Sequence, residues 1–229
     1  KKNGDGWVIS GEKFIVSNGD SADMLIVTAR TGGGQRDRSG VGVFLVPANA
    51  KGVRAKGFPT QDGLRAANIT FEQVEVGADA VIGDPGNGLP LVERVVDEAR
   101  MALCSEAVGA MDESLSTTIE YLKTRQQFGQ NIGKFQALQH RGSDMFVALE
   151  QARGITMYGT MAVGFDDAQE RATAIAATKV QVGRSLKYIG QQSIQLHGGV
   201  GMTQEYKIGH YFKRLTMIES TFGDADYHL

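Results

Sequence analysis

Across residues 7–83 the apolar positions fall in short runs separated by turn-forming residues. The runs are Trp7-Val8-Ile9, Phe14-Ile15-Val16, Met24-Leu25-Ile26-Val27 and Val41-Gly42-Val43-Phe44-Leu45-Val46. Asn18-Gly19-Asp20, Gly32-Gly33-Gly34 and Pro47 punctuate them, and each favours a turn over a continued strand. Residues 67–76 alternate apolar and polar side chains, the pattern of a strand with one face in a core and one in solvent. Short strands at this spacing predict a small antiparallel barrel or sandwich.

After Gly83-Asp84-Pro85-Gly86-Asn87-Gly88 the period becomes helical. Leu91, Val92, Val95, Val96, Ala99, Ala102 and Leu103 form one stripe, continued by Val108, Met111, Leu115, Ile119 and Leu122. A second stripe runs from Phe135 through Leu138, Met145, Phe146, Leu149 and Ala152 to Ile155, and a third from Ala172 through Ile175, Val182, Leu186 and Ile189 to Ile194. Three or four such helices with short connections predict an antiparallel bundle. The chain therefore reads as an α+β multidomain protein, a β segment over residues 1–84 followed by a helical bundle over 85–229.

Composition narrows the function. In 229 residues, 24 Lys+Arg stand against 26 Asp+Glu, a net charge of -2 without the basic footprint of a nucleic-acid binder. No apolar stretch approaches the ~20 residues that span a bilayer. The single cysteine, Cys104, has no internal disulfide partner, and no Cys/His cluster has metal-ligand spacing. A soluble, cytoplasmic protein is the expectation. Lys1-Lys2-Asn3-Gly4-Asp5-Gly6-Trp7 reads as a turn entering a strand, so the chain is expected to be a piece of a longer protein.

Four segments have residue types suited to chemistry, and each also has an ordinary structural reading. Phe14-Ile15-Val16-Ser17-Asn18-Gly19 is a strand running into a turn, or a strand end offering backbone groups and the Ser17 hydroxyl to a planar ligand. In Thr124-Arg125-Gln126-Gln127-Phe128-Gly129, Arg125 is a solvated charge near a helix C-terminus or a fork for a phosphate. Gln195-Leu196-His197-Gly198-Gly199-Val200-Gly201 has more glycines than a helix cap needs, and glycines permit close backbone approach to a ligand. It does not follow a strand, so it is not a dinucleotide fingerprint of the strand–helix type. In Arg214-Leu215-Thr216-Met217-Ile218-Glu219-Ser220-Thr221-Phe222-Gly223-Asp224-Ala225-Asp226, Glu219 is a surface helix-end carboxylate or a partly desolvated base.

In this order and spacing the four segments resemble the acyl-CoA dehydrogenase family over essentially the whole chain. The match is to the family's middle β-domain without its opening, then to its C-terminal helical domain. It is carried by Thr124-Arg125-Gln126-Gln127-Phe128-Gly129 with Phe135-Gln136-Ala137-Leu138-Gln139, and by Gln195-Leu196-His197-Gly198-Gly199-Val200-Gly201. The resemblance implies FAD and the α,β-dehydrogenation of an acyl-CoA thioester, a carboxylate taking the α-proton while the β-hydrogen leaves as hydride to the flavin N5. It places Ser17 against the flavin ring, with Ile15 where a tryptophan is often found. Arg125 matches the arginine that grips the FAD pyrophosphate of a neighbouring subunit, with Gln127 and Phe128 at adjoining contacts. Gln195, Gly198 and Gly199 match the loop at the adenosine half of that FAD. The smallest competent unit is then a homodimer, commonly within a tetramer and with a heteromer as the alternative. Electrons pass to an acceptor of the electron-transfer flavoprotein kind.

Two departures qualify the match. The family's opening helical domain is absent from this sequence, and the usual Ile-Tyr-Glu-Gly-Thr catalytic segment is altered. Counted from Arg214 and Ile218, Glu219 sits one residue short of the base; counted from Gly223, Phe222 occupies the base position, and Asp224 and Asp226 fall where FAD contacts usually lie. Other members keep the base on the first long helix, where Ala99 matches, with Glu98 adjacent and Arg100 matching a residue near the active site. The ending Thr221-Phe222-Gly223-Asp224-Ala225-Asp226 resembles the branch that includes pimeloyl-CoA dehydrogenase small subunits. A non-catalytic partner subunit, and an acyl-CoA oxidase or flavin monooxygenase on the same fold, are the competing readings.

Overall fold

The computed structural model describes residues 1–229, which form two compact units, Lys1–Val95 and Val96–Leu229. The first unit has strands β1 (Lys2–Asn3), β2 (Gly6–Ser17), β3 (Met24–Arg30), β4 (Val41–Pro47), β5 (Val53–Pro59), β6 (Arg65–Val76) and β7 (Val81–Ile82). They make a four-stranded sheet ordered β1-β2-β6-β5 and a three-stranded sheet ordered β3-β4-β7. All strand pairs are antiparallel. Ile9, Ile69, Phe71 and Val74 from the first sheet bury together with Leu25, Val27, Phe44 and Val46 from the second, which makes a sandwich. Pleating explains the choice of residues, because Leu25 and Val27 alternate with exposed Met24 and Ile26 along β3.

β2 and β6 break this alternation twice, where register shifts fall between Ile9 and Gly11 and between Lys13 and Val16. At the first, Gln73 takes a left-handed backbone (φ 50) and its N–H donates to Ser10 Oγ at 3.2 Å. At the second, Ile15 does the same (φ 55) and its N–H donates to Asn68 Oδ1 at 3.1 Å. Such bulges bend a strand, and the second lies just before Ser17, the last residue of β2.

The second unit holds most of α1 (Leu89–Thr124), then α2 (Gln136–Ala162), α3 (Ala168–His197), α4 (Lys207–Ser220) and the short α5 (Ala225–His228). A two-strand hairpin, β8 (Gln126–Gln127) and β9 (Gln130–Asn131), separates α1 from α2. Asp167 caps α3, its Oδ1 accepting the Glu170 N–H at 2.8 Å, which satisfies one of the unpaired donors of the first turn. Met101, Met111, Leu115 and Leu122 of α1 share one core with Met145 and Leu149 of α2, Ile175, Leu186 and Ile189 of α3, and Leu215 and Ile218 of α4. No helix is long and apolar enough to cross a membrane.

The stripe expected at the start of α1 is rotated. Leu91 and Val95 are 42% and 55% exposed, whereas Asp97, Met101 and Cys104 face inward. Buried polar groups set this phase: Asp97 is paired, and Ser114 and Thr118 donate back to the Ala110 and Ser114 carbonyls at 2.7 Å each. Satisfied polar side chains tolerate burial that an apolar count assigns to leucine and valine.

Candidate functional site

In the β unit, Ser17 is the last residue of β2, exposed and paired in register with Ala66. Asn18 follows in a left-handed conformation (φ 53), its N–H donating to the Arg65 carbonyl at 3.0 Å. The bulge at Ile15 leaves that side chain 66% exposed beside the serine.

In the helical unit, Arg125 stands between the end of α1 and β8. Its N–H donates to the Tyr121 carbonyl at 2.8 Å and its carbonyl accepts the Ile132 N–H at 2.9 Å, so both backbone groups are fixed while the side chain is exposed. β8 and β9 are joined by Phe128 (φ 56) and Gly129 (φ 77), the two left-handed residues that a tight type I′ turn needs. Glycine does this freely, but a phenylalanine there is strained, and Phe128 is 87% exposed. Backbone strain of this kind clusters at functional sites, and here it turns outward a ring whose aromatic neighbour is Phe135, with centroids 6.1 Å apart. Gln127 is also exposed, its Nε2 donating to the Gln126 carbonyl at 2.8 Å.

Gln195 is exposed on the last turn of α3, and Gly198 ends that helix at φ 59. A Cβ built on Gly198 or Gly199 meets no atom within 4 Å, so this loop presents bare backbone outward. Beneath it, His197 is 3% exposed, and its ring stacks on Tyr121 with centroids 4.5 Å apart. That stack joins the end of α1, and hence the Arg125 hairpin, to the glycine loop.

The fourth segment closes around a turn. Phe222 (φ 57) and Gly223 (φ 98) reverse the chain between α4 and α5. The Phe222 carbonyl accepts from Arg100 Nε at 3.2 Å and lies 3.0 Å from His228 Nε2. Lys179, 1% exposed, donates to the Ile218 and Glu219 carbonyls at 2.7 and 2.9 Å, placing a cation at the negative end of α4. Burial lowers the Lys179 ammonium from its ordinary value, opposed by Cys104, Glu219 and Asp224 nearby. Asp97 fixes Arg100 at 3.1 Å and Arg171 at 3.3 Å. The Glu219 carboxylate is half-buried and accepts the Ala225 N–H at 3.5 Å, a weak tie against the usual ~2.9 Å. Glu98 is exposed on α1, one step round the helix from buried Asp97. Asp224 caps α5 by accepting the Tyr227 N–H at 2.8 Å, and Asp226 is exposed in the first turn of that helix.

Sequence reasoning missed Asp97, Arg171, Lys179 and Tyr121, whose partners Arg171, Asp97, Ile218 and His197 lie far along the chain, and His228, whose partner Phe222 is only six residues away. No group of three or more His, Cys, Asp or Glu side chains is placed to hold a metal ion.

Two histidines are expected to make the fold sensitive to acid. Burial pushes His197 below its ordinary value of 6.5, partly offset by the Ser193 carbonyl, and burial does the same to His228, offset by the Phe222 carbonyl. Below about pH 6.5 the unfolded chain then binds protons that the folded chain resists, so their stabilisation is whole above that pH and is lost as pH falls toward the folded-state values. The urea midpoint is expected to drop between pH 7.5 and 5.5, and His197→Phe should shrink the drop. An equal drop in parent and variant would remove His197 from the account.

Two family profiles match the chain: the acyl-CoA dehydrogenase middle domain over residues 1–74 and the acyl-CoA dehydrogenase C-terminal domain over residues 86–229. Among curated proteins, a probable acyl-CoA dehydrogenase of Bacillus subtilis is 31% identical over 98% of this chain and 59% of its own length. The short-chain specific acyl-CoA dehydrogenase of Rattus norvegicus mitochondria is 29% identical over 99% of this chain and 55% of its own. The chain thus spans little more than half of these relatives. A solved structure described as an FAD-dependent dehydrogenase superposes with a TM-score of 0.92 at 29% identity, over 99% of this chain and 61% of that one.

Proposed function

The chain belongs to the acyl-CoA dehydrogenase family, and from that premise we propose that it forms the flavin- and substrate-facing part of an FAD-dependent acyl-CoA dehydrogenase. The observation that carries the reading is the strained hairpin: Phe128 is held 87% exposed beside an exposed Arg125 whose backbone is fixed at both ends. The bare backbone at Gly198 and Gly199 supports it, because a bulky, flat, anionic dinucleotide needs close approach and a fork for phosphate.

When bound, FAD supplies a two-electron acceptor for the hydride leaving the substrate β-carbon. Ser17 would hydrogen-bond the flavin ring from the end of β2. Arg125 would hold the pyrophosphate, with Gln127 and Phe128 at its flanks, and Gln195, Gly198 and Gly199 would face the adenosine. Asp224 and Asp226 complete the set of cofactor contacts in this reading. Glu219 is the first candidate to take the α-proton, its carboxylate half-buried and weakly tied. Glu98 is the second, and Arg100 holds the turn beside the first. The reading takes two chains as the smallest competent unit, with one chain's hairpin and glycine loop serving the partner's FAD, and an electron-transfer flavoprotein-like acceptor downstream.

Arg125→Ala tests the cofactor half of this reading. A charged hydrogen bond to phosphate contributes about 1.5–3 kcal/mol, or roughly 10–100-fold in affinity. The variant is expected to purify folded but nearly colourless, and flavin occupancy equal to the parent's would exclude the pyrophosphate assignment.

One observation favours a second reading. The α4–α5 turn presents Phe222, not a carboxylate, and both Arg100 and His228 clamp its carbonyl. A chain built so would complete the cofactor site of a homologous subunit without performing proton abstraction. Bleaching of the purified flavoprotein by acyl-CoA substrates of varied chain length decides between the two, since the partner reading predicts none.

A further inference from the structure

We propose that His197 is the positioning residue that locks the glycine loop to the Arg125 hairpin, and that it does so as the neutral ring protonated on Nδ1. Its role toward the cofactor rests on the flavin reading above; its role in the loop does not. His197 Nδ1 lies 2.8 Å from the Ser193 carbonyl, which can only accept, so Nδ1 carries the proton. The ring packs against Tyr121 of α1, at 4.5 Å and 29°, and against Tyr206 just before α4, at 5.0 Å and 50°, while the two tyrosines meet each other at 6.5 Å. The Tyr121 carbonyl in turn holds the Arg125 N–H. The loop also folds back on the histidine, since a Cβ added to Gly201 would lie 3.0 Å from His197 Cβ. One side chain therefore bears on both segments assigned to the cofactor.

His197 Nε2 is buried and has no partner, and neither has Ser193 Oγ one turn earlier. In the neutral ring Nε2 is a bare lone pair. A charged ring would place an N–H there with nothing to accept it, which costs more than an unfilled acceptor. The titratable groups packed against the ring are the two tyrosines, and Glu113, Glu120 and Lys207 line the surface groove beside them. None of these is a hydrogen-bond partner of the imidazole.

The test uses the whole protein with and without flavin. In the flavin-free parent, nitrogen-15 NMR should find His197 neutral at pH 6.5 and protonated on Nδ1. A ring protonated on Nε2, or charged at that pH, overturns the proposal without any variant. His197→Phe keeps an aromatic ring against both tyrosines and removes the Nδ1–H that fixes its orientation. In the flavin-free variant, amide exchange across residues 198–202 should quicken about tenfold while that of the Met145 and Leu149 core is unchanged, and the FAD dissociation constant should rise by a similar factor, the equivalent of one hydrogen bond. A general loss of stability would instead quicken both regions together, and that result, or no change in either, refutes a positioning role. Loop exchange that quickens beside unchanged FAD affinity removes the cofactor role. If the parent binds no FAD, the proposed function fails, while the tautomer and the exchange still decide whether His197 locks the loop.

Discussion

Flavin reduction by an acyl-CoA should fall about 10²–10⁴-fold in Glu219→Gln, with FAD still bound, because a general base contributes that much to a proton-transfer step. Glutamine keeps the shape and the acceptor oxygen that faces the Ala225 N–H, so the α4–α5 turn should stand. The Lys179 contact should survive too, since it falls on the Glu219 backbone carbonyl and not on the carboxylate. Stopped-flow bleaching separates the outcomes. Loss in Glu219→Gln assigns the base to α4, and loss only in Glu98→Gln moves it to α1. Bleaching at the parent rate in both eliminates both residues. A parent that holds FAD and is bleached by no acyl-CoA leaves the clamped Phe222 turn as that of a partner subunit.

The second large effect is structural. Asp97→Ala should destabilise the helical unit by about 3–5 kcal/mol, the usual result of stripping the partner from a buried charge. Asp97 is 4% exposed and Arg171 8%, so removing the carboxylate leaves a buried guanidinium short of its counter-ion. Arg171 would keep only its bond to the Phe165 carbonyl at 2.9 Å, and Arg100 would lose the anchor from which it reaches Phe222. Chemical denaturation followed by circular dichroism measures this directly. Glu106→Ala is the contrasting control: its bond to Arg214 is at the surface, where such pairs contribute at most about 1 kcal/mol. Similar losses in the two variants would mean that burial of the Asp97 pair is not the source of its effect.

What is legible in the sequence divides along physical lines. β3 and β4 are assignable as strands from their apolar runs and flanking turns alone, although the exposed Met24, Ile26 and Leu45 are as apolar as the buried Leu25, Val27, Phe44 and Val46. The bulges at Ile15 and Gln73 are not, because each depends on a side chain of the neighbouring strand, Asn68 or Ser10. The helices are legible as helices, but the phase of α1 is not, since Asp97 has a partner 74 residues away that no apolar count contains. The Arg125 and glycine-loop motifs stand out by residue type. The Tyr121–His197 stack between them, the Lys179 clamp and the Arg100 hold on Phe222 are long-range contacts with no local signature.

The lone cysteine gives the helical unit its own clock. Cys104 is fully buried, and desolvation pushes its thiol up to about 11, against a smaller opposing pull from Lys179. Burial hides the sulfur, and the raised value suppresses the thiolate, which is the form that alkylating reagents attack. Labelling at neutral pH then proceeds only through molecules that have opened around α1, and its rate counts them. The Asp97→Ala variant, weakened by about 3–5 kcal/mol, should alkylate roughly 10²–10⁴ times faster where opening is at equilibrium. Ligand that closes the unit should slow the same reaction, so one native sulfur can report on occupancy without a flavin signal.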